Sequence, residues 1–90
     1  MGKYEKEARE LLDAIGGRGN IAAVSHCMTR MRFVLNDEKK ADIEVIEGIG
    51  CVKGTFTQAG QFQVIIGNDV SVFFQDFTAC AGIEGVSKEA

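Results

Sequence analysis

Apolar residues recur along the chain with two different spacings, one typical of helices and the other of strands. Helical spacing predicts a first helix over residues 3–15, which Gly16-Gly17 would end, and a last helix over residues 70–81 that begins after Gly67-Asn68-Asp69. A shorter helix is predicted over residues 38–47, after the break at Asn36-Asp37. The pattern therefore predicts helices at both ends and near the middle of the chain.

Between these helices, short apolar or alternating runs predict strands. The run at residues 21–25 is read as a short buried strand, and residues 30–35 alternate between two faces. Residues 51–57 and 61–66 predict a hairpin around Gln58-Ala59-Gly60. The order α-β-β-α-β-β-α predicts an α+β fold, a four-stranded antiparallel sheet with three helices on one face. We assign all six phenylalanines to its core.

Bulk composition limits the function. A chain of 90 residues suits one domain, and a net charge of −3 without a basic stripe argues against nucleic acid as a partner. No apolar run reaches the roughly 18 residues of a transmembrane helix, so we expect a soluble, cytosolic domain. The three cysteines, Cys27, Cys51 and Cys80, are widely spaced and predict neither a zinc site nor a disulfide. Cys51 and Cys80 are read as small, semi-buried apolar residues.

The segment Ser25–Arg32 carries the candidate chemistry. Cys27 would lie in the connection between two strands, and Arg30 and Arg32 would project from one strand face, about 7 Å apart. The backbone amides of Met28, Thr29 and Arg30, the Thr29 hydroxyl and the arginines together could surround a tetrahedral dianion. The same positive surroundings would lower the pKa of the Cys27 thiol. On spacing alone, a loop cysteine beside two arginines is more often a bystander than a nucleophile, and alternating arginines are usually a solvated strand face.

Comparison with the active-site cysteine loops of known protein classes limits the functions that this segment could have. A tyrosine-phosphatase loop needs Cys-x5-Arg, and Phe33 occupies the position that arginine would require. Residues 27–32 instead resemble the C-x-T-R-[LM]-R signature of IIB domains in the glucose/sucrose class of phosphotransferase-system (PTS) sugar permeases. The resemblance spans about residues 5–85 and continues in Gly16-Gly17, Asn20-Ile21, Val52-Lys53-Gly54 and residues 60–67.

The resemblance implies a role for each of these residues. Cys27 would accept a phosphoryl group from a phosphohistidine of a IIA protein or domain and pass it to a sugar bound by a membrane IIC domain. Arg30 and Arg32 would serve the transfer, and Met28, Thr29 and Arg30 would bind the phosphate. No metal or cofactor is expected, since arginine and amide charges replace a metal in this chemistry. For His26, a packing or orienting role is favoured over that of a base.

Within the class, the sequence resembles trehalose permeases most. Sucrose, maltose, β-glucoside and glucose or N-acetylglucosamine stay open as alternatives. Residues 1–82 would form the IIB domain, and residues 83–90 would begin the linker to IIC. The domain would then be the cytoplasmic part of a cell-membrane transporter. A regulatory module with an inert Cys27 and a thiol redox sensor are the two rival functions.

Overall fold

The computed structural model describes residues 2–82, so the proposed linker over residues 83–90 lies outside the described part of the chain. Its elements confirm the predicted α+β fold and the predicted order. The helices and strands are α1 (Glu5–Ala14), β1 (Ile21–His26), β2 (Arg30–Leu35), α2 (Ile43–Glu47), β3 (Gly54–Gln58), β4 (Gln61–Ile65) and α3 (Val70–Ala81). The strands form one antiparallel sheet in the order β1-β2-β4-β3.

One face of the sheet forms the core with the helices. Alternate residues of β2 and β4 point inward, and phenylalanines of α3 pack against them. Phe33 contacts Phe77 edge to face, with 5.3 Å between the ring centroids. The fully buried or nearly buried residues of this layer are Met31, Phe33, Phe62, Val64, Phe73 and Phe77. The opposite face carries Arg30, Arg32 and Val34, which are partly buried or exposed, so the two arginines share a surface on the other side of the sheet from this core.

A buried asparagine ties three elements together on the side of the sheet away from the Cys27 loop. The Asn20 amide group donates to the carbonyls of Ile15 and Asp37 at 2.7 and 2.9 Å. Its side-chain oxygen accepts from the Asp37 amide at 2.8 Å. These bonds join the end of α1, the start of β1 and the segment after β2, and they give the buried Asn20 side chain partners for both its oxygen and its nitrogen.

Several sequence predictions about individual elements were wrong. The helix predicted over residues 38–47 is a 3-10 turn (Glu38–Lys40) followed by α2, because the side chains of Asp37 and Asp42 each cap a separate start. The first strand extends to His26 and is an edge strand with exposed alanines rather than a buried one. The third begins at Gly54, not at residue 51.

The assignment of all six phenylalanines to the core was also wrong. Phe56 is 47% exposed and lies on the open face of the sheet, and Phe74 is only partly buried. Both contact residues of the Ser25–Arg32 segment, since Phe56 lies beneath Arg30 and Phe74 packs on His26. The helical spacing of residues 70–81 correctly predicted that Phe73 and Phe77 are buried in the core, but it did not show that Phe74 is only partly buried.

None of the helices in residues 2–82 is long and apolar enough to cross a membrane.

Replacing Asn20 by alanine tests the structural role of this residue. The variant removes the bonds that Asn20 makes to the Asp37 amide and the Ile15 carbonyl, while the Asp37 carbonyl keeps a bond from the Lys40 amide at 3.1 Å. We expect the free energy of unfolding to fall by about 2–3 kcal/mol. Chemical denaturation gives the value, with the exposed Asn68→Ala as the control that should change it by less than about 0.5 kcal/mol. Equal stability of the two variants would contradict the account of this cluster.

Candidate functional site

The candidate site is the tight loop of Cys27, Met28 and Thr29 between β1 and β2. At its base, His26 pairs with Met31, and the Cys27 amide donates to the Arg30 carbonyl at 2.9 Å. The His26 ring lies 4.6 Å from the ring of Phe74, and its Nδ1 is 3.0 Å from the Cys27 carbonyl. His26 is thus held between α3 and the loop backbone, which agrees with the packing or orienting role expected for it.

The far end of the loop is fixed by the neighbouring strand. The Thr29 carbonyl accepts two hydrogen bonds, from the amides of Ile66 and Gly67, each at 2.9 Å. In a trans peptide the carbonyl and the next amide point in opposite directions. Holding the Thr29 carbonyl against the end of β4 therefore turns the Arg30 amide away from that strand and toward the Cys27 thiol, whose pKa this amide lowers. We refer to these two bonds to the Thr29 carbonyl as the carbonyl latch.

Gly67 is the residue that this arrangement requires. Its φ is +109°, in the left-handed region where side chains other than glycine are strained. A Cβ at this position would also come within 3.2 Å of the Lys53 side chain. The glycine therefore lets the chain turn back after β4 with two consecutive amides facing Thr29.

The thiol of Cys27 lies in a positive environment. Partial burial acts to raise its pKa, but the Thr29 and Arg30 amides, the charge of Arg32 and a hydrogen bond from the Arg32 side chain together lower the pKa below its ordinary value. By contrast, burial raises the pKa of the Cys51 thiol. Cys51 and Cys80 are both partly buried against the core, as expected. Of Cys27 and Cys51, Cys27 is thus the thiol that ionises more readily near neutral pH.

The two arginines of β2 make different contacts. Arg32 reaches the Cys27 thiol, and its Nε is buried without a hydrogen-bond partner in the described part of the chain. The Arg30 guanidinium instead donates from Nη1 to the Gln63 side-chain oxygen at 2.8 Å. It also lies over the Phe56 ring, 5.8 Å from the centroid. Sequence spacing placed both side chains on one face, but it could not show that only one approaches the thiol.

Of the residues predicted to bind phosphate, Thr29 and Arg30 bring their backbone amides to the thiol. The Met28 side chain is 86% exposed beside them. Sequence reasoning missed three residues of the site, Phe56, Gln63 and Gly67. The alternation of β4 did put Gln63 on the polar face, but its contact with Arg30 depends on strand pairing that the sequence does not specify. Residues 2–82 contain no group of three or more His, Cys, Asp or Glu side chains able to bind a metal ion.

Comparison with known proteins gives consistent results. Residues 9–42 match the family described as phosphotransferase system, EIIB. The chain is 53% identical over 79 residues to the trehalose-specific EIIBC component of the PTS of Escherichia coli K12, covering 88% of this chain and 17% of that protein. It is 42% identical over 85 residues to the sucrose-specific EIIBC component of Staphylococcus xylosus, covering 93% of this chain and 18% of that protein.

A solved structure extends the similarity to the whole fold. The crystal structure of one domain of a PTS IIabc component from Clostridium difficile superposes with a TM-score of 0.86 at 34% sequence identity. The match covers 98% of this chain and 92% of that one. The chain spans less than a fifth of the length of the two EIIBC relatives above and nearly all of this single domain.

The electrostatics of the loop predict an order of thiol reactivity. At pH 7, iodoacetamide should alkylate Cys27 faster than Cys51 and Cys80, and its rate should reach half its maximum at a lower pH, because the thiolate is the reactive form. Arg32→Gln should slow the reaction of Cys27 roughly threefold or more, and Arg30→Gln should have a smaller effect. Peptide mapping over a pH series measures these rates. Equal rates at all three cysteines, or equal effects of the two arginines, would contradict the description of the site.

Gly67→Ala tests the carbonyl latch. Strain at the positive φ should displace the Gly67 amide, rotate the peptide between Thr29 and Arg30, and raise the pKa of Cys27 toward its ordinary value. Gly60→Ala is the matched control, since Gly60 also has a positive φ, +80°, but lies in the β3–β4 turn with open space around it. We expect both variants to lose about 1–2 kcal/mol of stability. Only Gly67→Ala should shift the pH profile of Cys27 alkylation; an unchanged profile would show that the latch does not aim the amide.

Proposed function

The chain belongs to the EIIB family of the phosphotransferase system, and we propose that it carries a phosphoryl group on Cys27 during sugar uptake. The observation that supports this most is the surroundings of the Cys27 thiol, which lies against two backbone amides and Arg32. These donors favour the thiolate before transfer. After transfer they can hydrogen-bond the phosphoryl oxygens, for which backbone amides and arginine are common ligands.

In the first step, the Cys27 thiolate would attack the phosphorus of a phosphohistidine on a IIA partner. The S–P bond forms as the N–P bond breaks, and the released imidazole takes up a proton. A loose, in-line transition state places negative charge on the equatorial oxygens, so positioned donors supply most of the catalysis. The Arg30 amide, which the latch holds in place, the Thr29 amide and Arg32 are those donors. The buried Arg32 Nε, which has no acceptor among residues 2–82, gives this arginine a further N–H to offer an incoming oxygen.

In the second step, a sugar hydroxyl would attack the phosphocysteine. The O–P bond forms, the S–P bond breaks, the hydroxyl proton passes to a base on the sugar-binding side, and the Cys27 thiolate is regenerated. Its lowered pKa also makes Cys27 a good leaving group, because a stabilised thiolate departs more readily. The same donors thus favour both halves of the cycle. The arginines would matter most in this step, where a weakly nucleophilic hydroxyl needs the charge on the phosphoryl group neutralised.

The names of the relatives guide the assignment of partners. Two relatives are trehalose-specific EIIBC components, and others are sucrose-specific EIIBC or β-glucoside-specific EIIBCA components. We therefore propose that this chain is joined to a membrane IIC domain that binds the sugar, with a IIA protein or domain as the donor. The domain would work on the cytoplasmic side of the membrane. Trehalose is the proposed sugar, and IIC rather than this chain would select it.

Cys27→Ser should abolish phosphoryl uptake from a phosphorylated IIA protein without changing the fold. A serine hydroxyl stays protonated near neutral pH and cannot replace the thiolate. Intact-mass spectrometry and peptide mapping should show one phosphoryl group on Cys27 of the unmodified chain and none on the variant, with equal thermal stability. Cys80→Ser is the control and should retain uptake.

Full uptake by the serine variant, or a phosphoryl group on His26, Cys51 or Cys80, would overturn the proposal. Both rival functions predict no transfer to Cys27. An inert regulatory module would show none at any position, and a redox sensor would instead show oxidation of the Cys27 thiol.

A further inference from the structure

The contacts of Arg30 lie on the far side of its strand from Cys27. Arg30 belongs to β2, and Cys27 follows β1 on one flank of that strand. The Arg30 guanidinium extends over the other flank, where it bonds Gln63 of β4 and lies on the ring of Phe56 of β3. Neighbouring strands are about 4.8 Å apart. Because the Arg30 guanidinium contacts β4 and β3, its positive charge lies away from the Cys27 thiol.

Gln63 is unusual for the open face of a sheet. It is 6% exposed and one of two buried polar residues in the described core, the other being Asn20, which only joins backbone segments. Its Oε1 accepts from Arg30 and its Nε2 donates to Gln61 Oε1 at 3.3 Å. A buried amide oxygen needs a donor, and a bond from a charged donor is stronger than a neutral one. Gln63 and Phe56 therefore form a binding site for the Arg30 guanidinium, with a hydrogen-bond acceptor and an aromatic ring.

We propose that Gln63 and Phe56 are a dock that holds Arg30 away from Cys27 in the resting chain, and that an anion on the Cys27 sulfur draws Arg30 off this dock. The proposal rests on the proposed function for the identity of the anion, a phosphoryl group. It assigns to Gln63 and Phe56 a positioning role that acts through Arg30. Arg32 remains the arginine that contacts the thiol throughout.

The dock has an energetic consequence. A phosphoryl group on Cys27 must compete with Gln63 and Phe56 for the Arg30 guanidinium. Each contact that Arg30 makes only in the resting state therefore lowers the equilibrium constant for phosphorylation of Cys27. Weakening the dock should therefore favour phosphocysteine. A rigid positioning role would have the opposite sign, since loss of Gln63 would then weaken phosphate binding. Release of Arg30 would also uncover Gln63 and Phe56, so the open sheet face would differ between the two states.

Release by an anion can be observed without any phosphoryl donor. In the chain with Cys51→Ala and Cys80→Ala, iodoacetate places a negative carboxymethyl group on Cys27, and iodoacetamide places a neutral group of nearly equal size. Nitrogen-15 NMR should show the Gln63 side-chain amide and the Arg30 Nε–H signals moving with the first adduct and staying near their original positions with the second. Signals that stay in place with both adducts, or move equally with both, would overturn the proposal.

The phosphorylation equilibrium gives the second readout. With a phosphorylated IIA donor, we expect Gln63→Met to raise the equilibrium constant for transfer to Cys27 about threefold to tenfold, the range that the net loss of one typical hydrogen bond allows. Phe56→Leu, an exposed position that should not impair folding, should raise it less. In an Arg30→Lys background, Gln63→Met should lose most of its effect, and Gln58→Met, an exposed glutamine of the same hairpin, should have none.

The outcomes separate the two proposals. If Cys27 takes the phosphoryl group but Gln63→Met leaves the constant unchanged or lowers it, the dock is refuted and the proposed function stands. If the unmodified chain takes no phosphoryl group, the proposed function is refuted, and the carboxymethyl comparison still decides whether an anion at Cys27 releases Arg30. In Gln63→Met, the pH profile of Cys27 alkylation should stay in place or move to lower pH, because a released Arg30 can only favour the thiolate. A profile that moves to higher pH would show a general disturbance of the loop and would overturn the specific role.

Discussion

The orientation of one peptide, between Thr29 and Arg30, determines the properties of the site. Its carbonyl is held by the Ile66 and Gly67 amides, and its own amide therefore points to the Cys27 thiol. The latch links the loop after β1 to the residues that follow β4, two segments that are adjacent only because β2 pairs with β4 in an antiparallel sheet. Packing of the phenylalanine core fixes that pairing. The two backbone hydrogen bonds of the latch thus make the environment of the Cys27 thiol depend on the order of the strands in the sheet.

The arginines add charge to this backbone frame in two distinct ways. Arg32 lies at the thiol and lowers its pKa together with the amides. Arg30 contributes its backbone amide to the thiol and its side chain to Gln63 and Phe56. A resting site that kept both guanidinium groups on the thiolate would hold the anion tightly and make it a weaker nucleophile. The division of contacts is consistent with a carrier that must accept a phosphoryl group and then release it.

The sequence predicted most of the fold because periodicity reports burial. Alternation in residues 30–35 placed Met31 and Phe33 inward and both arginines outward, and the structure confirms this. Helical spacing gave the bounds of α3 correctly. The errors occur where a local cap or a position at the sheet edge overrides the pattern, as at Asp42 and in β1. Cys27 and the amides were identifiable from a short segment. The latch, the dock and the contrast between Arg30 and Arg32 depend on strand register, which residue type alone does not encode.

The central claim is that the Arg30 amide, which the latch holds in place, and the neighbouring Thr29 amide bind the phosphoryl group on the Cys27 sulfur. NMR of the nitrogen-15-labelled, phosphorylated chain tests it most directly, because couplings between phosphorus and an amide group pass through the hydrogen bond that joins them. The account predicts a phosphorus signal typical of an S-linked phosphoryl group, with couplings to the Thr29 and Arg30 amides and large shifts of those two signals. A signal typical of an N-linked phosphoryl group on His26, or an S-linked group without coupling or shift at Thr29 and Arg30, would contradict it.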